Sequence, residues 1–475
     1  MKMKKVIATV LSCAMVFSLA ACGSGDGGST GSTGSAATTA TETAETQKAD
    51  TGDEKQPEEA PAGGVELEVI TTFAGNDGNA QNYKKFYQQW EAETGNKVVD
   101  MSATSDDTFK VRIVTDFETG SEPDVLFFFN GADANSFIEA GKVVSIEDIR
   151  AEYPDYASNM SDGRIPASLV DNKAYAVPVN GIWEAMFVNM EVLDAAGVAK
   201  PGADYTWEQF EADCQKIKDA GYTPIAAALG DIPHYWWEFA IFNHTTPENH
   251  LTIPESASDE IGQGWVAAME DIKALYEAGY FPDNTLSAKD DETFAMFVDG
   301  KAAFLIDGSW KVNGIVGACQ SDPDDPSTLD TEKLSKFDVT YVPAKESRKA
   351  TDLIGGLTSG YYITKKAWED PAKKAAAVDF VSYMTSDEAV PVFSQHAASA
   401  LKNAPELDES VFNELQVKSL RMVAGSTSFT GVVQDLFEGE CRVPTFDGMP
   451  EIVTGKVSAK EAVQEGLDIY NMMRE

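Results

Sequence analysis

The chain has 475 residues, 77 of them acidic against 37 basic, for a formal net charge of −40 and a pI near 4.3. A field of that sign opposes a sequence-independent grip on phosphate backbones or on an acidic membrane surface, which argues against nucleic acid as a partner. With 43% hydrophobic and 10% aromatic residues the chain can bury sizeable cores, and its five cysteines are too few for a disulfide scaffold.

Lys2, Lys4 and Lys5 precede an apolar run from Val6 to Leu19, the charged start and greasy middle of a secretory signal, too short to span a bilayer. Small residues Ala20 and Ala21 are followed at once by Cys22, and "LAAC" resembles the lipobox of bacterial lipoproteins, in which Cys22 becomes the lipidated N-terminus. An ordinary signal peptide that happens to carry a cysteine is the plainer alternative. Gly23 to Gly64 is rich in Gly, Ser, Thr and Ala and then acidic, with almost no large apolar residue, so it reads as a flexible, self-repelling linker. Cys13 falls in the signal, which leaves Cys214, Cys319 and Cys441 with room for one pair at most.

From Val65 the pattern is that of an α/β protein. "VELEVITTF" (Val65 to Phe73), a helix over Asn79 to Gly95 and "KVVDMS" (Lys97 to Ser102) make a β-α-β opening. After a helix over Asp107 to Thr119, the apolar run Val125 to Phe129 suits a strand covered on both faces. Strands are expected at Lys173 to Val179 and Ala185 to Asn189, then helices at Met190 to Ala196 and Thr206 to Gly221, the second capped by Thr206 with a glutamate soon after. The middle is mainly helical, over His234 to Phe242, Gly262 to Ala278 and Asp291 to Asp299. Strands return at Lys301 to Asp307, Phe337 to Pro343 and Gly360 to Lys365, and amphipathic helices follow at Pro371 to Thr385, Ser410 to Ala424 and Ser458 to Met473.

Several stretches together resemble the extracellular solute-binding proteins of ABC importers, in the carbohydrate group that includes maltose-binding protein. They are "GSEPDVLFFF", "YAVPVNGIWEAMFVNMEVLDAAGV", "TWEQF" with "AGYTPIAA", "FVDGKAAFLIDGSW" and "PAKKAAAVDFVSYMTSDEA", in the family's order. The resemblance implies a two-lobed, type II periplasmic-binding-protein-like α/β fold with a ligand cleft and hinge between the lobes. The implied division is a leader at 1–21, the anchor cysteine and linker at 22–64, a first lobe from 65–180 with 350–398, and a second from 181–349 with 399–475. Pro178 with Gly181, and Pro343 with Ala344, are candidate crossings between lobes, or plain turns.

A sugar site needs aromatic platforms and side chains able to make several hydrogen bonds, gathered beyond strand ends. Phe73, Asn76 and Asp77 follow the first strand, where a sugar-binding turn lies in the family, though Asn-Asp-Gly is also a simple turn. Asn130 occupies another strand exit; Gly131 and Ala132 stand where maltose-binding protein has an acidic-basic pair, which speaks against maltose. Trp183 and Glu184 fall at the first crossing, Glu184 matching a ligand-contacting glutamate. Tyr235, Trp236 and Trp237 cluster where relatives line the cleft, with Trp236 preferred over Trp237. Trp310 resembles the family's tryptophan platform; it follows a strand ended by Asp307 and Gly308, with Ser309 able to cap the next helix. Gly355 and Gly356 could admit a ligand close to the backbone, or form a bend.

The implied function is capture of a sugar or oligosaccharide and its delivery to ABC permease subunits, by a monomer held to the membrane through its lipid anchor only, without cofactor or metal. The four histidines lack His-x-x-x-His spacing, and neither a Gly-x-Ser-x-Gly elbow nor a phosphate loop appears. The alternatives are a lipid-anchored glycan hydrolase and a ligand-presenting partner of a sensor. With 77 carboxylates a glycosidase pair could always be nominated, so the acidic residues do not separate these readings.

Overall fold

A strand that is apolar throughout must be covered on both faces, and the run beginning at Val125 is: Val125 and Phe127 enter one core while Leu126 and Phe128 enter another. The structure, a computed structural model, describes residues 64–474 apart from 76, 106, 180, 232–233, 323–324, 395–398 and 404–408. Cys22 and Asn76 therefore lie outside the described residues, as does the side chain of Tyr235. Among the described residues ten strands form: β1 (Glu66–Ile70), β2 (Lys97–Asp100), β3 (Val125–Phe129), β4 (Ile182–Asn189), β5 (Thr223–Ile225), β6 (Ala302–Gly308), β7 (Phe337–Thr340), β8 (Asp352–Gly356), β9 (Ser359–Ile363) and β10 (Ser428–Thr430).

They build two sheets, one per lobe. The first has the order β2-β1-β3-β9, with β1 parallel to both neighbours and β9 antiparallel to β3. The second runs β10-β8-β4-β6-β5, with β7 also on β4. β4 is its axis: Trp183, Ala185 and Phe187 project into one core and Met186 and Val188 into the other. Helices close the faces for reasons written in their sequences. Ala80–Thr94 buries Tyr83, Phe86 and Trp90 along one side and stops at Gly95, whose φ of 74° suits glycine. Each such ring contributes about 1.5–3 kcal/mol by leaving water. Trp207–Asp219 starts in a capping box, and the partner of Thr206 is Gln209 rather than the adjacent glutamate.

Two segments cross between the lobes side by side. Val177 exchanges backbone hydrogen bonds with Tyr361 (3.0 and 2.9 Å) in the first lobe, while Ile182 pairs with Gly356 in the second. Gly360 permits the close approach, since a Cβ there would lie 2.8 Å from the Val177 carbonyl. The first expected crossing, at Pro178 to Gly181, is therefore where the chain changes lobes. The second is corrected: Ala344 is tied by its N–H to Tyr205 O (3.0 Å) inside the second lobe, and the return falls between Gly356 and Ser359. β8 accordingly belongs to the second sheet, though 350–356 was expected in the first lobe, and Ala400 and Leu401 pack in the first core rather than the second. The strand expected at Lys173 to Val179 reduces to the single bridge from Val177 to Tyr361.

Cys214, Cys319 and Cys441 are all buried and free, so the possible pair does not form. No described helix is long and apolar enough to cross a membrane.

Candidate ligand cleft

The start of β4 and the end of β6 lie side by side, with Glu184 directly opposite Gly308. Opposite residues of an antiparallel pair project to the same face, so the position a Gly308 side chain would take is next to Glu184. The indole of Trp310 fills it: a Cβ on Gly308 would come within 3.0 Å of Cη2, Cζ3 and Cζ2. Trp310 begins the helix Trp310–Ala318 and is half-buried, resting on the second lobe's core. Ser309 does not cap that helix by its side chain; its backbone is already helical.

Glu184 itself is fully buried, and neither carboxylate oxygen has a hydrogen-bond partner among the described residues. Burial first, then Glu238, Asp307 and Asp435, pushes its carboxyl well above the ordinary carboxylate range. Glu238, from the helix His234–Asn243, accepts the N–H groups of Val433 and Gln434 (both 3.0 Å) and stands 3.4 Å from His250 Nε2. Asp435 is likewise pushed well up, by burial and then by Asp133 and Glu238. Asp307 is raised to about 7 by burial despite Lys311, whose Nζ lies 3.6 Å away and 2.5 Å from Asp290. No group of His, Cys, Asp or Glu among the described residues is arranged to hold a metal ion.

The first lobe meets this face in two places. Gly78 O accepts from Asn313 Nδ2 (3.2 Å), and the backbone is so near that a Cβ on Gly78 would lie 2.7 Å from Trp310 O. Asp77 sits beside that contact; burial raises it to about 6, opposed by the Asn79 N–H and by Lys311 across the gap. On the other side Gly131 lies against Asp435, where a Cβ would fall 2.6 Å from the Asp435 Cα, and Asp133 bonds Arg442 (2.5 Å) and Lys110 (3.2 Å). Those two cations overcome burial and hold Asp133 down at about 2.

Of the residues expected to bind, the structure sets Glu184 beside the Trp310 indole and puts Asp77 next to the Gly78 contact with the Trp310–Ala318 helix. The others have different employment. Phe73 is a core ring, 4.5 Å from Phe127 and 5.4 Å from Phe393. Asn130 clasps the second crossing segment: its Nδ2 donates to Leu357 O (3.0 Å) and its N–H to Thr358 O (2.8 Å). Trp183 points to the face opposite Glu184, buried beside Phe187, as strand alternation requires. Trp236 is 3% exposed among Phe210 and Phe281, and Trp237 stacks on Phe446 at 3.6 Å, so both are core residues of the second lobe. Gly355 is small because the Ile182 carbonyl and the Phe429 ring occupy its side-chain space, whereas a Cβ on Gly356 would meet nothing nearer than 3.9 Å. Glu238 was missed although a lone carboxylate within "HYWWEFAIF" could have drawn notice. Asp435 and Asn313 carry no local signal.

Two α/β lobes joined by crossing segments define a type II periplasmic-binding-protein-like fold, and a half-buried indole and buried carboxylates lie where the lobes meet. The family model described as bacterial extracellular solute-binding protein matches residues 75–391, and the chain belongs to that family of binding proteins. A solved chitin oligosaccharide binding protein is similar at a TM-score of 0.71 and 20% identity, over 86% of this chain and 98% of that one. The maltodextrin-binding domain from Bdellovibrio bacteriovorus, bound to maltotriose, gives 0.64 at 16% identity over 86% and 100%. A Brucella abortus (strain 2308) protein described only as a binding protein is 21% identical over 54% of this chain, and the match spans 60% of that relative's length.

Proposed function

We propose that the protein captures a sugar or oligosaccharide between its lobes and delivers it to the permease of an ABC importer, tethered outside the cell membrane by a lipid on Cys22. The observation that carries the reading is the half-buried Trp310 indole beside a buried, unpartnered Glu184 at the meeting of the lobes. An indole offers a face for a sugar's C–H groups, and a carboxylate accepts from hydroxyls. The nature of the solved relatives' ligands, maltotriose and chitin oligosaccharide among them, supports the same class. The lobes close on ligand about the two crossing segments.

A thermal-shift screen of mono- and oligosaccharides tests this. A ligand at about a hundred times its Kd stabilises the bound form by roughly 2.7 kcal/mol. If amino acids, peptides or polyamines raise the melting temperature and no sugar does, the substrate class is wrong.

A further inference from the structure

Glu184 is a buried carboxyl with, among the described residues, neither a hydrogen-bond partner nor a cation beside it. Glu238, Asp307 and Asp435 stand near it, and the cations around that cluster are paired with other carboxylates: Lys311 with Asp290 and Asp307, Arg442 and Lys110 with Asp133. Among the described residues no ion pair reaches Glu184. A hydroxyl that donates to this carboxylate leaves its charge in place, whereas an ammonium donates and neutralises at once. The indole next to it accepts a cation as readily as a sugar face.

We propose that the ligand this cleft prefers is a sugar or oligosaccharide carrying a free amino group, its ammonium against Glu184 and its ring over Trp310. The proposal rests on the sugar-capture reading and narrows it. It also fixes the sign of a pH effect. Where the free ligand is already an ammonium, its binding displaces a proton from the buried carboxylate cluster to solvent, so binding of the amine weakens on further acidification. A neutral sugar, which leaves the proton on Glu184, is held equally well or better.

The test is calorimetry on the purified protein with glucosamine and its β-1,4-linked oligomers, each against its N-acetyl and its hydroxyl counterpart. The amine should bind about tenfold tighter than either counterpart, the gain of a charged over a neutral hydrogen bond. Glu184→Gln should abolish that preference. Should this variant not fold, the wild-type protein still reports: at a pH where the free ligand is already an ammonium, its binding enthalpy should vary with the ionisation enthalpy of the buffer in the sense of proton release. Equal or tighter binding of the neutral counterparts, survival of the preference in Glu184→Gln, or the absence of proton release overturns the proposal. So does a screen in which only sugars without an amine bind, and in that case sugar capture stands. If no sugar binds at all, both readings fall.

Discussion

Gly308→Ala tests the cleft at its tightest point. Gly308 does not have a positive φ, so its backbone accepts alanine, but the new Cβ would come within 3.0 Å of three carbons of the Trp310 indole. Carbon atoms rest about 3.5–4.0 Å apart, so the ring must move by more than about 1 Å or swing off the strand. A displaced platform of hot-spot size weakens binding by about 2 kcal/mol, roughly thirtyfold in Kd. Folding should change little, because overpacking of about 1–3 kcal/mol is partly offset by the ~0.5–1 kcal/mol that alanine gains over glycine within a strand. Calorimetry with the best sugar from the screen, and urea unfolding of the unliganded protein, measure the two effects separately. Trp310→Ala should cost a similar amount of affinity, and Gly308→Ala should add nothing in that background. Wild-type affinity in Gly308→Ala, or full additivity of the two changes, refutes the placement of the indole as ligand platform.

Trp236→Ala should cost about 3–5 kcal/mol of folding stability and leave the folded fraction binding normally, as read by urea midpoint and calorimetry; weaker binding at unchanged stability would return Trp236 to the cleft wall. The Asp307 carboxyl, raised from 3.8 to about 7, holds a proton in the folded state that the unfolded chain has released, so its contribution makes stability fall as pH rises through that window. Asp307→Asn should flatten the decline between those limits, and an unchanged pH profile of unfolding counts against a raised Asp307. Cys22→Ser should release correctly processed protein from the membrane fraction with its affinity intact; retention there points to another anchor.

The parts of the fold legible in the sequence are those with a strong local cause. β3 is an unbroken apolar run and β6 is one as far as Ile306, and the helix Ala459–Met472 announces itself by Ser458 and Glu461 in a capping box. β8 was not legible because "DLIGG" takes its strand character from β4 and β10 on either side, not from its own residues. In the cleft, Glu184 and Trp310 each stood out by residue type and position at a strand end. Their adjacency depends on the cross-strand register, which no local pattern encodes. Trp183 could not be set aside from the sequence, because the expected strand began at Ala185; only once it starts at Ile182 does alternation turn Trp183 and Glu184 to opposite faces. Nor could the burial of Trp236 be read, because adjacent tryptophans on a helix leave open which of them, or whether both, turn inward.

Three buried thiols matter for a member of an extracellular family. Burial pushes Cys214 well up, raises Cys319, and lifts Cys441 to about 12, so among the described residues these three thiols present almost no thiolate to an oxidant. Unfolding removes that protection from an odd number of cysteines at once, and any pairing leaves one over to join a second chain. Wherever oxidation of the exposed thiols outpaces refolding, loss of structure becomes irreversible, and lifetime follows the rate of unfolding rather than the equilibrium between folded and unfolded forms.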